Sequence, residues 1–241
     1  MLALLLATAL SCPDDQVIGL DLPAWKKTLL ADEPGSHEQH AEMAALRMKT
    51  VPDGAPSEDD CFDNPKVEGV DIFDANLTGE HDKLVQVRFS MCKGTPFSWQ
   101  SLRIAVLVPL PEKRFCLLGG EDLSIDQSAR NKPCTDASKL PRTLAFRQLG
   151  SRRVIEVRDQ SGSCEPGAEM SNVILALFEA RDLALHMIFE TPILDAHSTS
   201  SGALLVQHCD VTLGKAIQVR CGEGDGQEFV YEKAQGKYLA K

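Results

Sequence analysis

The sequence predicts a mainly β protein, an antiparallel meander forming a sandwich, an open barrel or a curved sheet, with a short helical N-terminal segment. Three observations carry this. Apolar residues recur at every second position, as in Leu84-Val85-Gln86-Val87-Arg88-Phe89, which is the period of a strand with one buried face. Glycine-containing turns separate short apolar runs towards the C-terminus. Hydrophobic residues make up 43% and charged residues 25%, a mix that buries a core and does not stay disordered.

Residues 1–11, MLALLLATALS, are almost wholly apolar, and Cys12, Pro13, Asp14 and Asp15 follow. A bilayer-spanning helix needs about 20 apolar residues, so this stretch reads as the hydrophobic part of a secretion signal. Ala9-Leu10-Ser11-Cys12 resembles a bacterial lipobox. That resemblance implies a signal or lipobox segment over 1–12 and lipidation of Cys12.

Residues 13–50 have helical character. Asp21 is placed to cap a helix with Pro23 in its first turn and Trp25, Leu29 and Leu30 as apolar positions. Ser36 and Gln39 have capping-box spacing for a second helix carrying Met43 and Leu46. Two helices this short bury little alone, so they either pack on the main body or form a tether. Residues 51–66, VPDGAPSEDDCFDNPK, combine Pro, Gly and acids and read as a linker.

An antiparallel β domain then spans 67–241. Ile104 to Val108 is continuously apolar, ended by Pro109 and Pro111, and suits a central strand. Phe115 to Leu118 stops at Gly119-Gly120, and Leu144 to Phe146 faces Val154 to Val157 across a turn near Gly150-Ser151. Val173 to Phe189 has two readings. Its composition suits a helix capped by Ser171, yet Val173, Leu175, Leu177, Leu183, Leu185, Met187 and Phe189 share odd positions around polar Glu179-Ala180-Arg181-Asp182. That parity favours two strands and a turn. Leu205–Leu213, Ile217–Cys221, Phe229–Tyr231 and Lys237–Leu239 complete a meander with turns at 214, 222–226 and 236.

Eight cysteines, at 12, 61, 92, 116, 134, 164, 209 and 221, include no C-x-x-C pair, which leaves neither a zinc ribbon nor a thioredoxin-type motif. Scattered cysteines in an exported chain of this size form disulfides. Cys209 and Cys221 flank the Gly214-Lys215 turn and either bridge across a hairpin or remain buried thiols. Proximity along the chain suggests Cys61–Cys92 and Cys116–Cys134, with Cys164 left over.

The formal charge of −10, from 25 basic and 35 acidic residues, repels phosphate backbones and makes nucleic acid a poor partner. Aromatics at 5% leave little material for a base-stacking or sugar-binding platform. Asp74-Ala75-Asn76-Leu77-Thr78-Gly79-Glu80-His81-Asp82 is the best short motif, with oxygen side chains around a glycine-permitted turn before a strand. Such a set suits a hard cation; in one register Asp74, Asn76, Thr78 and Asp82 are the candidate Ca2+ ligands. The loop resembles the aspartate-rich loops of FG-GAP or VCBS-type secreted β-proteins. The alternative is an ordinary Asn/Gly turn feeding the strand.

The region from Asp71 to Lys241 more loosely resembles uncharacterised exported β-rich bacterial lipoproteins of δ-proteobacterial type. The resemblance rests on this loop-then-strand start, the Ser161-Gly162-Ser163-Cys164 turn and the ending Phe229-Val230-Tyr231…Gly236-Lys237-Tyr238. It implies a secreted β body and no catalytic residue.

Other motifs read as surface. His37 and His40 lack the spacing of a zincin, and the acids of Ser57 to Asp63 suit a solvated loop. No G-x-S-x-G elbow occurs, and Asp195-Ala196-His197-Ser198 has no strained turn to present a nucleophile. His208 and Cys209 are strand neighbours and point apart.

The expectation is an exported, lipid-anchored envelope protein, in the outer membrane, the periplasm or outside the cell. It acts as a protein-binding or structural module on another envelope or extracellular protein, touching membrane through its lipid alone. A calcium-stabilised ligand-binding module, or a secreted hydrolase with an unrecognised site, is the alternative.

Overall fold

The computed structural model describes residues 12–34, 36–48, 66–79, 81–91, 99–118, 144–165, 168–198 and 203–241. The 51–65 part of the expected linker, and the pairing of Cys61 with Cys92, lie outside them.

After a single 3-10 turn at Asp14–Gln16, the first elements are strand β1 (Val17–Gly19), helix α1 (Leu22–Ala31) and helix α2 (His37–Ala45). Both helices start where the sequence places them. The Asp21 carboxylate accepts from the Ala24 N–H at 3.1 Å and the Ser36 hydroxyl from the Gln39 N–H at 3.1 Å, which satisfies donors that a helix start leaves orphaned. Leu22, Trp25 and Leu29, spaced three and four apart, share the buried face of α1. Leu30, the third apolar position expected of this helix, falls off that face and is 47% exposed. The Trp25 indole donates to the Glu42 carbonyl at 2.9 Å and ties α1 to α2.

The helices pack on a sheet and do not form a tether. That sheet contains β1, β2 (Lys66–Asp74), β3 (Lys83–Met91), β4 (Trp99–Leu110) and β5 (Arg114–Leu117), in the order β1-β5-β4-β3-β2. Alternation along each strand divides its side chains. Val85, Val87, Phe89, Ala105, Leu107 and Leu117 meet Leu22, Trp25, Leu29, Met43 and Leu46 of the helical layer. Leu84, Ile104, Val106 and Leu118 face the other way. The apolar run of β4 is therefore buried on both faces, as a central strand requires.

Among the described residues, the second sheet has eight strands that neighbour one another in chain order. They are β6 (Leu144–Leu149), β7 (Arg152–Glu165), β8 (Ala168–Arg181), β9 (Ala184–Ser198), β10 (Leu204–Leu213), β11 (Ala216–Cys221), β12 (Gln227–Glu232) and β13 (Lys237–Ala240). Ile155, Val157, Ala176, Phe178 and Leu185 close a core against the outward face of the first sheet. From the opposite face, Val154, Val173, Leu175, Leu177 and Phe189 meet Ile217, Val219 and Tyr238. The C-terminal strands thus fold back over β8 and β9, and edge-to-face contacts of Phe189 with Phe229 and Tyr238 lie between them. The result is a stack of open, antiparallel sheets under one helical layer.

The stretch Val173–Phe189 is a hairpin. Its turn is Asp182-Leu183, with φ of 50° and 58°, the positive values of the mirror-image turn that matches strand twist. Expecting it at Glu179–Asp182 placed it too early, because the β8–β9 ladder runs on to pair Arg181 with Ala184. Ser161–Cys164 is also corrected: these residues lie inside β7 and pair with Glu169 to Asn172. Ladder hydrogen bonds hold this polar stretch extended.

Candidate functional site

Cys12 stands just before the 3-10 turn and β1, and its sulfur is bonded to that of Cys116. β1 pairs with β5 in a register that sets Val17 opposite Cys116. The chain therefore returns Cys12 to the strand next to which β1 has just docked. This corrects two expectations. A sulfur in a disulfide cannot also carry a thioether lipid, so Cys12 is a cross-link and not a lipid site here. Cys116 is likewise unavailable to Cys134, which lies outside the described residues. Cys209 and Cys221 are directly opposite in the β10–β11 ladder and joined, the first of the two readings the hairpin spacing left open. Among the described residues no cysteine is free.

The acidic loop links β2 to β3. The Asp82 carboxylate is fully buried and accepts from the Leu77 N–H at 2.7 Å, the Thr78 N–H at 3.1 Å and the Thr78 hydroxyl at 2.8 Å. The Ala75 N–H donates to the Asp82 carbonyl at 2.8 Å. Asp74 points elsewhere, to the Lys83 ammonium. That neighbour, by hydrogen bond and charge, holds the Asp74 carboxyl below its usual range. Asn76 takes a positive φ of 49° and is exposed. Thr78 and Asp82 meet; Asp74 and Asn76 do not join them. A cation cage needs oxygens converging on an empty centre, whereas both Asp82 oxygens here face N–H and O–H donors. The loop is a carboxylate-closed turn, the Asn/Gly alternative weighed from the sequence, and the four-residue Ca2+ set is corrected.

An open polar groove lies on β10 and β11. β10 pairs with β9 through Leu204–His208 and with β11 through Cys209–Leu213, so it changes partner at the His208–Cys209 junction. The Gly222 N–H donates to the His208 carbonyl at 3.1 Å and sets the β11–β12 turn beside this junction. A groove of about 500 Å3 is lined by Asp210, Thr212, Gln218, Val219, Arg220 and Gly226. Asp210 faces Arg220 and Thr212 faces Gln218 in register, so its walls offer one carboxylate, one guanidinium and neutral hydrogen-bonding groups. This set can grip polar or charged groups of a docked surface.

Two polar clusters were missed from the sequence. Arg152 stacks over the Tyr231 ring at 3.4 Å and pairs with Glu179 at 3.4 Å. Arg181 donates to the Tyr231 hydroxyl at 2.8 Å, and that hydroxyl donates to Glu179 at 3.3 Å. Tyr238 is buried alongside, and loss of water pushes its phenol above the ordinary range. On β7, buried Glu156 accepts from the Nε of Arg147 at 2.5 Å and of Arg158 at 2.8 Å. A signal existed for the second cluster: Glu156 shares inward parity with Val154. The first draws on strands far apart in sequence and left none.

The remaining expected residues are dispersed. His37 and His40 lie on α2, and Asp195 and His197 lie 3.9 Å apart on exposed positions of β9. Among the described residues, no three His, Cys, Asp or Glu side chains are placed to share a metal ion, and no helix is long and apolar enough to cross a membrane. Comparison with protein-family models, curated proteins and solved structures finds no match.

Proposed function

We propose that this chain is an exported protein-binding or structural module that works at the bacterial cell envelope or outside the cell, on another envelope or extracellular protein. The observation that carries the reading is the pairing of Cys12 with Cys116 and of Cys209 with Cys221. Such bonds form and persist in oxidising compartments. An apolar leader at 1–11 is consistent with that route. The binding role draws support from the form of the body, whose polar groove and exposed β10 offer extended surface and strand backbone.

Fractionation of the source cells followed by non-reducing peptide mapping tests the reading. The expected result is envelope or extracellular protein in which the Cys12 and Cys116 peptides travel as one species. A chain found intact from Met1 among intracellular proteins, with its thiols reduced, would overturn export. A lipid mass on Cys12 would keep export and overturn the cross-link. Cross-linking in intact cells tests the binding role: an adduct with a second kind of protein is expected, and its absence refutes the role.

A further inference from the structure

We infer that the free edge of β10 is a β-addition site that takes an extended, apolar segment with a basic flank from the partner protein. The inference rests on the protein-binding reading above and names the surface that would do the binding. β9 occupies one edge of β10 over Leu204–His208; on the other edge the Gly222 N–H reaches the His208 carbonyl, and no ladder fills Leu204–Gln207 among the described residues. The β11 ladder begins at Cys209, where the disulfide to Cys221 closes it. A strand edge left this way presents a row of backbone donors and acceptors to any incoming strand. Proteins that do not use such an edge blunt it with charge or proline. Residues 204–208 carry neither Lys, Arg, Asp, Glu nor Pro. Instead Leu205 is 53% and Val206 is 44% exposed, on successive positions and thus opposite faces. Both faces of an added strand would find an apolar neighbour there.

Charge selects the occupant. The Gly222–His208 hydrogen bond sets the β11–β12 turn, with exposed Glu223 and Asp225, at the end of this edge. Asp195 faces Gln207 across the β9–β10 ladder, and Asp210 follows two positions beyond His208. Against these four carboxylates stands Arg220, and the whole chain carries −10. A second copy of the chain would bring the same negative charge, so a segment with Lys or Arg beside its apolar stretch is the better match. Main-chain bonds along the edge would supply affinity, and the acidic end would set direction and register.

Site-specific photo-cross-linking in the source cells decides it, with a benzophenone amino acid replacing Gln207 in the full-length chain. Whole-surface lysine cross-linking runs in parallel as the measure of binding itself. The expected result is an adduct at Gln207 whose partner peptide is apolar and flanked by Lys or Arg. The charge-placing Val206→Lys and the pair Glu223→Lys with Asp225→Lys should each lower its yield about tenfold, and Val230→Lys, at an exposed apolar site on β12, should not. Four results overturn the inference: no adduct at Gln207 while the lysine cross-linker still captures a partner, a self-adduct, an acidic or uncharged partner peptide, or a yield that both sets of lysine variants leave unchanged. Loss of the lysine adduct as well would instead refute the binding reading beneath it. Circular dichroism of each variant confirms that its overall strand content is kept.

Discussion

Cys12 is bonded to Cys116 across 104 positions of sequence, and the same Cys116 stands opposite Val17 in the ladder between β1 and β5. One short strand and one cross-link thus hold the entry of the chain against the edge of the first sheet. Closing a loop of that length removes much conformational freedom from the unfolded chain. Replacing both residues, Cys12→Ala with Cys116→Ala, should therefore cost about 3–5 kcal/mol in urea unfolding. The shorter Cys209–Cys221 loop, with a sequence separation of 12, should cost about 2–3 kcal/mol by the same reasoning. A reversed order of the two losses would contradict this account.

The Asp82 carboxylate closes the β2–β3 loop through three donors. Asp82→Ala should destabilise the protein by about 1–3 kcal/mol, because it takes the acceptor from two part-buried N–H groups. Asp82→Asn keeps an acceptor oxygen and should lose less. Because the loop turns donors towards that carboxylate, the melting temperature should be the same in millimolar Ca2+ and in chelator. A rise with Ca2+ would restore the cation reading, since a ligand of the folded state must stabilise it.

Burial raises the Tyr238 phenol from 10.0, the value it would have unfolded. The neutral form is therefore favoured in the fold, and an unfolded chain ionises first as pH rises. Stability from this group is fully present below pH about 10 and falls as pH climbs through and beyond that value. Tyr238→Phe should flatten the alkaline end of a stability-against-pH curve while leaving its slope near pH 7 unchanged. An unaltered alkaline limb would show that Tyr238 ionises no later in the fold.

Gly236 has a φ of 65°, and a Cβ there would run into the Arg181 guanidinium. Gly236→Ala meets both a left-handed backbone penalty and the need to move Arg181 off the Tyr231 hydroxyl. The expected loss is about 2 kcal/mol. Tyr231→Phe removes the hydroxyl that joins Arg181 to Glu179 and should lose about 1 kcal/mol. The two losses should fall short of additive in the double variant, because both act through Arg181.

Local chemistry made much of this protein legible in its residues. Alternation in Leu84–Phe89 and in Val173–Phe189 identifies strands because side chains on a pleated chain point to opposite faces. Asp21 and Ser36 mark helix starts, since a side-chain oxygen two or three positions ahead can reach the first free N–H groups. The placement of Cys209 and Cys221 on either side of a hairpin turn made a bridge one of two readings, and the ladder that sets them opposite decides it. Each of these depends on neighbours within about a dozen positions.

What the residues left open was settled by contacts between distant elements. Cys12 meets Cys116, and not a lipid, only because β1 docks on β5. Asp82 resembles a cation ligand in sequence, yet it is turned inward by the backbone N–H groups of Leu77 and Thr78, whose direction is set by the loop's path. Arg152, Glu179, Arg181 and Tyr231 become one cluster when the last three strands fold over β8 and β9. Among the described residues, no ladder fills the second edge of β10 at Leu204–Gln207, because β10 leaves one neighbour before it gains the next. A linear pattern records which faces are apolar, but which face covers which is decided when separate layers compete to bury them.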